Sequence, residues 1–188
     1  MSQPSPLIPS LSVEDYLALE ETSAIRHELI GGSLYAMAGG TLIHNLIVQG
    51  LRDVLVRQLR PRGCRVFTEN VKLCFADDFF YPDVMVSCNR HTEGRLYVTE
   101  PVLLAEVLSE GNIAHDRVTK LNVYRRIPSL QAYLVLSQED LRIEVWGMDN
   151  QWDRSRVYDA SKVIQLTALT LDLPVDEIYT EVRVDLGR

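Results

Sequence analysis

Two carboxylates in this 188-residue chain occupy positions where a charge is costly to bury. Asp83 opens a short apolar strand, and Glu106 lies within the nearly all-apolar stretch 101–108. Because strand side chains alternate between two faces, Glu106 shares a face with Leu104 and Leu108 rather than pointing away from them. An unpaired buried charge is strongly unfavourable, so Glu106 needs a cation, a hydrogen-bonding partner or a local opening to solvent.

Asp83 and Glu106 on neighbouring strands would form a site of hard oxygen ligands. Such a site suits Mg²⁺, which is usually held by one or two carboxylates and keeps several of its waters. The alternative is that both acids are ordinary strand-end residues that face solvent. Single residues do not separate these two interpretations.

A lysine follows the Glu106 strand at helical spacing. Asp116, Lys120 and Tyr124 recur at every fourth position, so they share one face of a helix predicted from Ile113 to Ile127. That face could present the Lys120 amine to the carboxylates. The alternative is an exposed Asp116–Lys120 ion pair, which stabilises a helix by only about 0.3–0.5 kcal/mol.

The elements that must position these residues predict a mixed sheet with flanking helices. Helices are predicted after the capping box of Ser12 and Asp15, from Thr41 to Leu59, and from Pro174 to Tyr179. The predicted strands are 26–30, 33–37, 64–68, 71–75, 83–86, 101–108, 132–136 and 142–146, with weaker patterns at 152–158 and 163–166. This order is typical of an α/β (α+β) fold with a central mixed β-sheet.

The length of 188 residues fits one domain, predicted at 12–188 after a flexible N-terminal tail at 1–11. No stretch approaches the roughly 18–20 apolar residues of a membrane span, and no secretory leader is visible, so a cytoplasmic location is expected. Cys64, Cys74 and Cys88 are odd in number and widely spaced in apolar sequence. They predict buried thiols rather than a disulfide framework or a zinc knuckle.

The charge distribution limits the partners that the chain can bind. A net charge of −7 argues against indiscriminate binding to nucleic acid, because phosphate neutralisation needs clustered Lys and Arg. Positive charge is nevertheless concentrated in the segments 52–65 and 117–126. The first segment is interpreted as the solvated face of the long helix, and the second lies beside the candidate site.

Four spaced motifs can be compared with known families as a set. They are Arg26-His-Glu28-Leu-Ile-Gly-Gly32, Tyr-Pro-Asp83, Glu106-Val-Leu-Ser109 and Asp116-x₃-Lys120-x₃-Tyr124. This set resembles the Uma-two family of restriction-endonuclease-like proteins, which is placed in the PD-(D/E)xK nuclease superfamily. The resemblance covers about 12–145 and implies a restriction-endonuclease-like core.

The resemblance also implies roles for the acidic residues. Asp83 matches the acid of the PD half-motif and Glu106 the acid of the E-x-K half-motif, both as metal ligands. Together with the backbone carbonyl of Val107, they would hold the metal, and Glu28 matches an early acid that completes the metal shell. The implied cofactor is Mg²⁺, with Mn²⁺ as a substitute.

One departure from the superfamily pattern concerns the lysine. Leu108 stands where the superfamily places it, and the resemblance implies that Lys120 supplies it from the following helix. Asp116 and Tyr124 would then position Lys120.

The resulting hypothesis is a Mg²⁺-dependent endonuclease that hydrolyses phosphodiester bonds in DNA, with homodimerisation as a further expectation. A first alternative is a catalytically inactive DNA-binding or dimeric interaction protein on the same fold, which loss of Mg²⁺ binding would favour. A second is a hydrolase of a small phosphorylated substrate, which a preference for mononucleotides over DNA would favour. His44, in the long helix, is interpreted as a surface or hydrogen-bonded residue.

Overall fold

A computed structural model describes residues 11–37, 39–89, 96–108 and 116–183 of the protein. The helices in these ranges are α1 (Val13–Thr22), α2 (Leu42–Leu59), α3 (Leu121–Tyr124) and α4 (Val175–Ile178), and a π-helical segment, Asp116–Lys120, directly precedes α3. The strands are β1 (His27–Ile30), β2 (Ser33–Ala36), β3 (Arg65–Thr68), β4 (Lys72–Phe75), β5 (Asp78–Phe80), β6 (Val84–Ser87), β7 (Tyr97–Val98), β8 (Leu103–Leu108), β9 (Ala132–Ser137), β10 (Arg142–Gly147), β11 (Arg156–Asp159), β12 (Val163–Leu166) and β13 (Leu171–Pro174).

Local sequence signals account for several of these boundaries. Ser12 caps α1, because its Oγ accepts the N–H of Asp15 at 3.1 Å, and Thr41 caps α2 in the same way. Gly31 and Gly32 have φ of 57° and 76° and form the tight turn between β1 and β2, as predicted. The strands β5, β7 and β13 were not predicted; β5 and β7, with three and two residues, are too short to show a periodic pattern.

Two larger sheets and one hairpin make up the β structure. The first sheet has the order β11-β10-β9-β8-β6-β3, and the second has the order β2-β1-β5-β4-β7, while β12 pairs only with β13. The β8–β9 and β4–β7 pairs are parallel and the other pairs are antiparallel. The predicted mixed α/β architecture is confirmed, with the difference that the strands divide between separate sheets.

The six-stranded sheet buries a different apolar cluster on each face. Val84 and Ala105 belong to the cluster that contains the buried face of α2. Met85 and Leu104, one position along each strand, belong to the cluster that contains Tyr124 of α3. Glu106 has the parity of Leu104, so strand alternation directs its side chain toward α3.

The cysteine prediction was wrong. Cys64 and Cys88 form a disulfide, and Cys88 is exposed, whereas Cys74 is a half-buried thiol. Arg65 pairs with Ser87 in the β3–β6 ladder, so the next position sets the two cysteines opposite each other. A separation of 24 residues gave no sign of this contact, which the strand register creates.

The close approach of α2 to α4 depends on a glycine. A Cβ at Gly50 would lie 2.0 Å from the carbonyl oxygen of Ile178, which is backbone and cannot move aside cheaply. We therefore expect Gly50→Ala to lower the free energy of unfolding by about 1–3 kcal/mol, despite the gain of about 1 kcal/mol that alanine has over glycine within a helix. Urea unfolding measures this difference. Gly39→Ala is the control, because a Cβ there meets nothing within 4 Å, and equal stability of the two variants would contradict the prediction.

None of the helices in the described ranges is long and apolar enough to cross a membrane. The predicted tail lies outside the described residues apart from Leu11. The division into a tail and a single domain stays a prediction.

Candidate functional site

The ladder between β6 and β8 brings the two predicted acids side by side. Val84 pairs with Ala105, so continuing the antiparallel register by one residue sets Asp83 opposite Glu106. Residues in opposed positions have their Cβ atoms about 4.5–5.5 Å apart. Asp83 also reaches the β8 backbone, because its Oδ2 accepts the N–H of Val107 at 2.7 Å. The two carboxylates therefore lie at one end of the sheet.

Lys120 is buried between two carboxylates. Its Nζ lies 3.0 Å from Oε1 of Glu106 and 3.0 Å from Oε1 of Glu28. Lys120 and Glu106 are each 4% exposed and Glu28 is 6% exposed. Charges removed from water to this extent need partners, and this trio supplies them internally. The Lys120 amine thus lies where the sequence analysis expected it, beside Glu106.

Tyr124 completes the surroundings of Glu106. Its hydroxyl donates to Oε1 of Glu106 at 3.1 Å, and its ring packs edge-on against Phe80 and Tyr133. Burial, followed by the negative charge of Glu106, holds the pKa of Tyr124 well above its ordinary value. The hydroxyl therefore stays protonated and available as a donor.

Helical geometry explains why Lys120 and Tyr124 act on the same carboxylate. The two residues are four positions apart at the junction of the π-helical segment and α3, so they project from one face. Part of the helix predicted from Ile113, namely 113–115, lies outside the described residues, as does the side chain of Asp116. The predicted positioning role of Asp116 stays a prediction.

His44 contacts the other carboxylate. Its Nε2 lies 3.2 Å from Oδ1 of Asp83 and 3.8 Å from Oε1 of Glu69, and its side chain is 12% exposed. Burial of the imidazole favours its neutral form, but the hydrogen bond and charge of Asp83, the charge of Glu69 and the backbone of Val107 together outweigh burial and raise the pKa of His44. Gly40 leaves room for the ring, since a Cβ there would lie 2.9 Å from Cδ2 of His44.

Glu69 joins the site through an unusual backbone conformation. It has φ of 45°, in the left-handed region that non-glycine residues rarely adopt. Its N–H donates to the carbonyl of Asp83 at 3.1 Å, so Glu69 is hydrogen-bonded directly to a candidate site residue. Outliers of this kind concentrate at functional sites.

Glu20 of α1 contacts two residues that lie next to the site in sequence. Its Oε1 lies 2.9 Å from Nδ1 of His27, and its Oε2 accepts the hydroxyl of Tyr81 at 2.6 Å. Tyr81 in turn donates its backbone N–H to Glu28 at 3.0 Å. One buried carboxylate therefore connects α1 both to the strand that carries Glu28 and to the segment that leads into Asp83.

The donor set fits a hard divalent cation with few protein ligands. Asp83 and Glu106 offer carboxylate oxygens and Val107 a backbone carbonyl, and the Asp83 side chain is 14% exposed, which leaves it open to solvent. In the part of the chain that the structure describes, no three His, Cys, Asp or Glu side chains are grouped closely enough to hold a metal. Carboxylate and carbonyl oxygens are the ligand types that Mg²⁺ takes, and Mg²⁺ usually keeps several waters instead of occupying an all-protein cage.

Comparison with known proteins identifies the family. The model of the Uma2 family, described as "Putative restriction endonuclease", matches residues 13–176. The chain belongs to the Uma2 family. Membership confirms the family that the four sequence motifs predicted, and the matched range contains every residue of the site described above.

Relatives and a solved structure agree with the Uma2 assignment. The uncharacterized Synechocystis protein slr1290 is 33% identical over 180 residues, which cover 94% of this chain and 95% of that protein. The uncharacterized Synechocystis protein sll1609 is 34% identical over 149 residues, covering 76% of this chain and 84% of its own length. The crystal structure of a "putative nuclease belonging to DUF820" from Anabaena variabilis superposes with a TM-score of 0.73 at 18% identity, covering 90% of this chain and 98% of that one. At that identity the likeness shows a shared nuclease-like fold.

The Uma2 motifs account for only part of this site. The sequence predicted Asp83, Glu106, Lys120, Glu28 and Tyr124 as site residues. The structure brings the last four into contact, whereas Asp83 contacts the backbone of Val107, next to Glu106. From the sequence, His44 is interpreted as a surface or hydrogen-bonded residue, and the structure shows that its partner is Asp83. Glu69 was missed, because no single-sequence signal marks a glutamate in the left-handed region.

Proposed function

We propose that this Uma2 protein hydrolyses phosphodiester bonds in DNA with the help of Mg²⁺. One observation carries the proposal: the Asp83 carboxylate accepts the N–H of Val107, the residue next to Glu106, and the Lys120 amine lies 3.0 Å from Glu106. Paired acids at a sheet end with an adjacent lysine are the groups that metal-assisted phosphoryl transfer requires. Family membership and the nuclease-like fold support this choice of chemistry.

Each residue has a distinct task in this proposal. Asp83, Glu106 and the carbonyl of Val107 would hold the cation. Bound Mg²⁺ supplies an activated water and polarises the scissile phosphate. Lys120 orients the attacking water or stabilises negative charge as it develops on the phosphate, and Tyr124 holds Glu106 in place through its hydroxyl. Glu28 keeps Lys120 oriented by sharing its amine, and would contact the metal only through a water.

One observation favours a second candidate, a DNA-binding module without catalysis. Lys120 is already shared by Glu28 and Glu106, so both carboxylates have a cationic partner without any metal. A protein that had lost catalysis could retain this ion-paired trio for stability alone. Metal binding separates the two candidates.

Calorimetric titration of the protein with Mg²⁺ and with Mn²⁺ tests the proposal, followed by assays on plasmid and single-stranded DNA. We expect binding of the metal, cleavage in its presence and no cleavage in EDTA. Absence of metal binding would refute the catalytic proposal and leave the binding module. Cleavage of mononucleotide substrates but not of DNA would instead indicate a small-substrate hydrolase. Light scattering of the same sample tests homodimerisation, which stays a prediction.

A further inference from the structure

Two cations lie against a single aromatic ring beside the site. The guanidinium carbon of Arg26 is 5.9 Å from the centroid of the Tyr81 ring, and Nζ of Lys72 is 5.5 Å from the same centroid. Arg26 is exposed and Lys72 is half-buried, whereas Tyr81 is only 3% exposed. Both cations therefore lie within 6 Å of the centroid of the Tyr81 ring, and the Tyr81 hydroxyl donates a hydrogen bond to Glu20.

Neither cation is neutralised by an acid in the described part of the chain. Among the residues that the structure describes, no carboxylate forms an ion pair with Arg26 or Lys72. The polar contact of the Arg26 side chain is a long one, 3.5 Å from Nη1 to the carbonyl of Glu69. By contrast, Arg52 and Arg57 on α2 each lie against an acidic side chain. Arg26 and Lys72 thus retain charge for an anion from outside the protein.

Both cations are joined to the candidate site through short connections. Tyr81 is two residues before Asp83, so the Tyr81 ring and the metal-ligand candidate share one segment. Glu69 forms a second connection, because its N–H donates to the carbonyl of Asp83 and its carbonyl accepts from Arg26. The two cations are therefore connected, through Tyr81 and Glu69, to the segment that carries Asp83.

The electrostatics of the site require such cations. Four carboxylates lie in or beside it: Glu28, Glu69, Asp83 and Glu106. Lys120 is already shared by two of them, and the chain has a net charge of −7. A nucleic acid backbone approaching these acids is repelled unless positive charge at the rim offsets them.

We infer that Arg26 and Lys72 form a binding site for backbone phosphates of DNA, next to the phosphodiester that is cleaved. This inference rests on the proposed function and names the part of the substrate that Arg26 and Lys72 contact. Contacts of this kind fix the position of the strand and carry no base specificity. The Tyr81 ring holds the two side chains in place, so the charge is presented at a defined distance from Asp83.

DNA binding in EDTA tests the inference separately from cleavage. Fluorescence anisotropy of labelled single-stranded and duplex oligonucleotides is measured over a series of salt concentrations for the wild type and for Arg26→Gln/Lys72→Gln. The matched control is Arg156→Gln/Lys162→Gln, which removes one exposed arginine and one exposed lysine near β11, three strands away from β8. Both double variants change the net charge equally.

We expect the Arg26/Lys72 variant to bind more weakly than the control, with a smaller dependence on salt. If each cation contacts one phosphate, the slope of log K against log salt falls by about 1.4 for single strands and about 1.8 for duplex. The charge-preserving variant Arg26→Lys/Lys72→Arg should retain most of the binding, which excludes a folding defect as the cause.

Two outcomes would overturn the inference: equal binding by the two glutamine variants, or no binding of DNA by the wild type. Weaker binding specific to the Arg26/Lys72 variant supports it even if the protein cleaves no DNA, because binding in EDTA does not depend on catalysis. Failure of cleavage alone would refute the proposed function and leave a phosphate-binding module.

Discussion

Replacing Asp83 with asparagine is expected to reduce Mg²⁺-dependent DNA cleavage by at least about a hundredfold to a thousandfold. Asparagine keeps the size of the side chain and can still accept the N–H of Val107, but it removes the negative charge that a divalent cation needs. Glu106→Gln is expected to cause a similar loss, because Glu106 is the second carboxylate ligand of the proposed metal site. The measurement is the rate of plasmid nicking at saturating Mg²⁺.

The control for both variants is Asp53→Asn. Asp53 lies on α2 with a side chain that is 73% exposed, so the same chemical change there leaves the site intact. We expect the control to cleave at the wild-type rate. If Asp83→Asn cleaved as fast as Asp53→Asn, the metal site would lie elsewhere. Circular dichroism of all the variants verifies that the loss is one of chemistry and not of folding.

Lys120→Met is expected to lower the free energy of unfolding by about 3–5 kcal/mol at neutral pH. Methionine retains much of the apolar stem, but it removes the ammonium that the buried Glu28 and Glu106 share. The two buried carboxylates then repel each other with no shared cation to offset the cost of their burial. Urea unfolding of the wild type and the variant in EDTA measures the cost.

Two further variants separate the buried charge from loss of packing. Lys162→Met changes an exposed lysine and should alter stability by no more than about 0.5 kcal/mol. The double variant Glu106→Gln/Lys120→Met has one buried carboxylate charge fewer than Lys120→Met. It should recover part of the lost free energy of unfolding. A cost for Lys120→Met as small as that for Lys162→Met would show that the trio contributes little to folding. Replacing Lys120 would then affect catalysis without lowering the free energy of unfolding.

The disulfide and the site both depend on strand pairing between distant segments, which the sequence alone does not reveal. Cys64 and Cys88 are bonded because β3 and β6 pair in one register and not in a neighbouring one. Shifting a register by one residue turns every side chain to the other face. Register depends on contacts between distant segments, and the spacing of the cysteines holds no information about it.

Local chemistry made the individual parts of the site predictable. The cost of burying a charge singled out Glu106, and helical spacing put Lys120 and Tyr124 on one face. Side-chain caps marked the starts of α1 and α2, and paired glycines marked the β1–β2 turn. Each of these features acts over a few residues, so the sequence by itself determines it.

Only the tertiary structure decided which residues meet. Glu28 reaches Lys120 because the sheet that carries β1 packs beside α3, and His44 reaches Asp83 because the start of α2 lies near the start of β6. Glu69 adopts a left-handed conformation that its residue type disfavours, and surrounding contacts hold it there. The sequence determined which groups could do chemistry, whereas packing between distant segments determined their partners, because those distances depend on the whole fold.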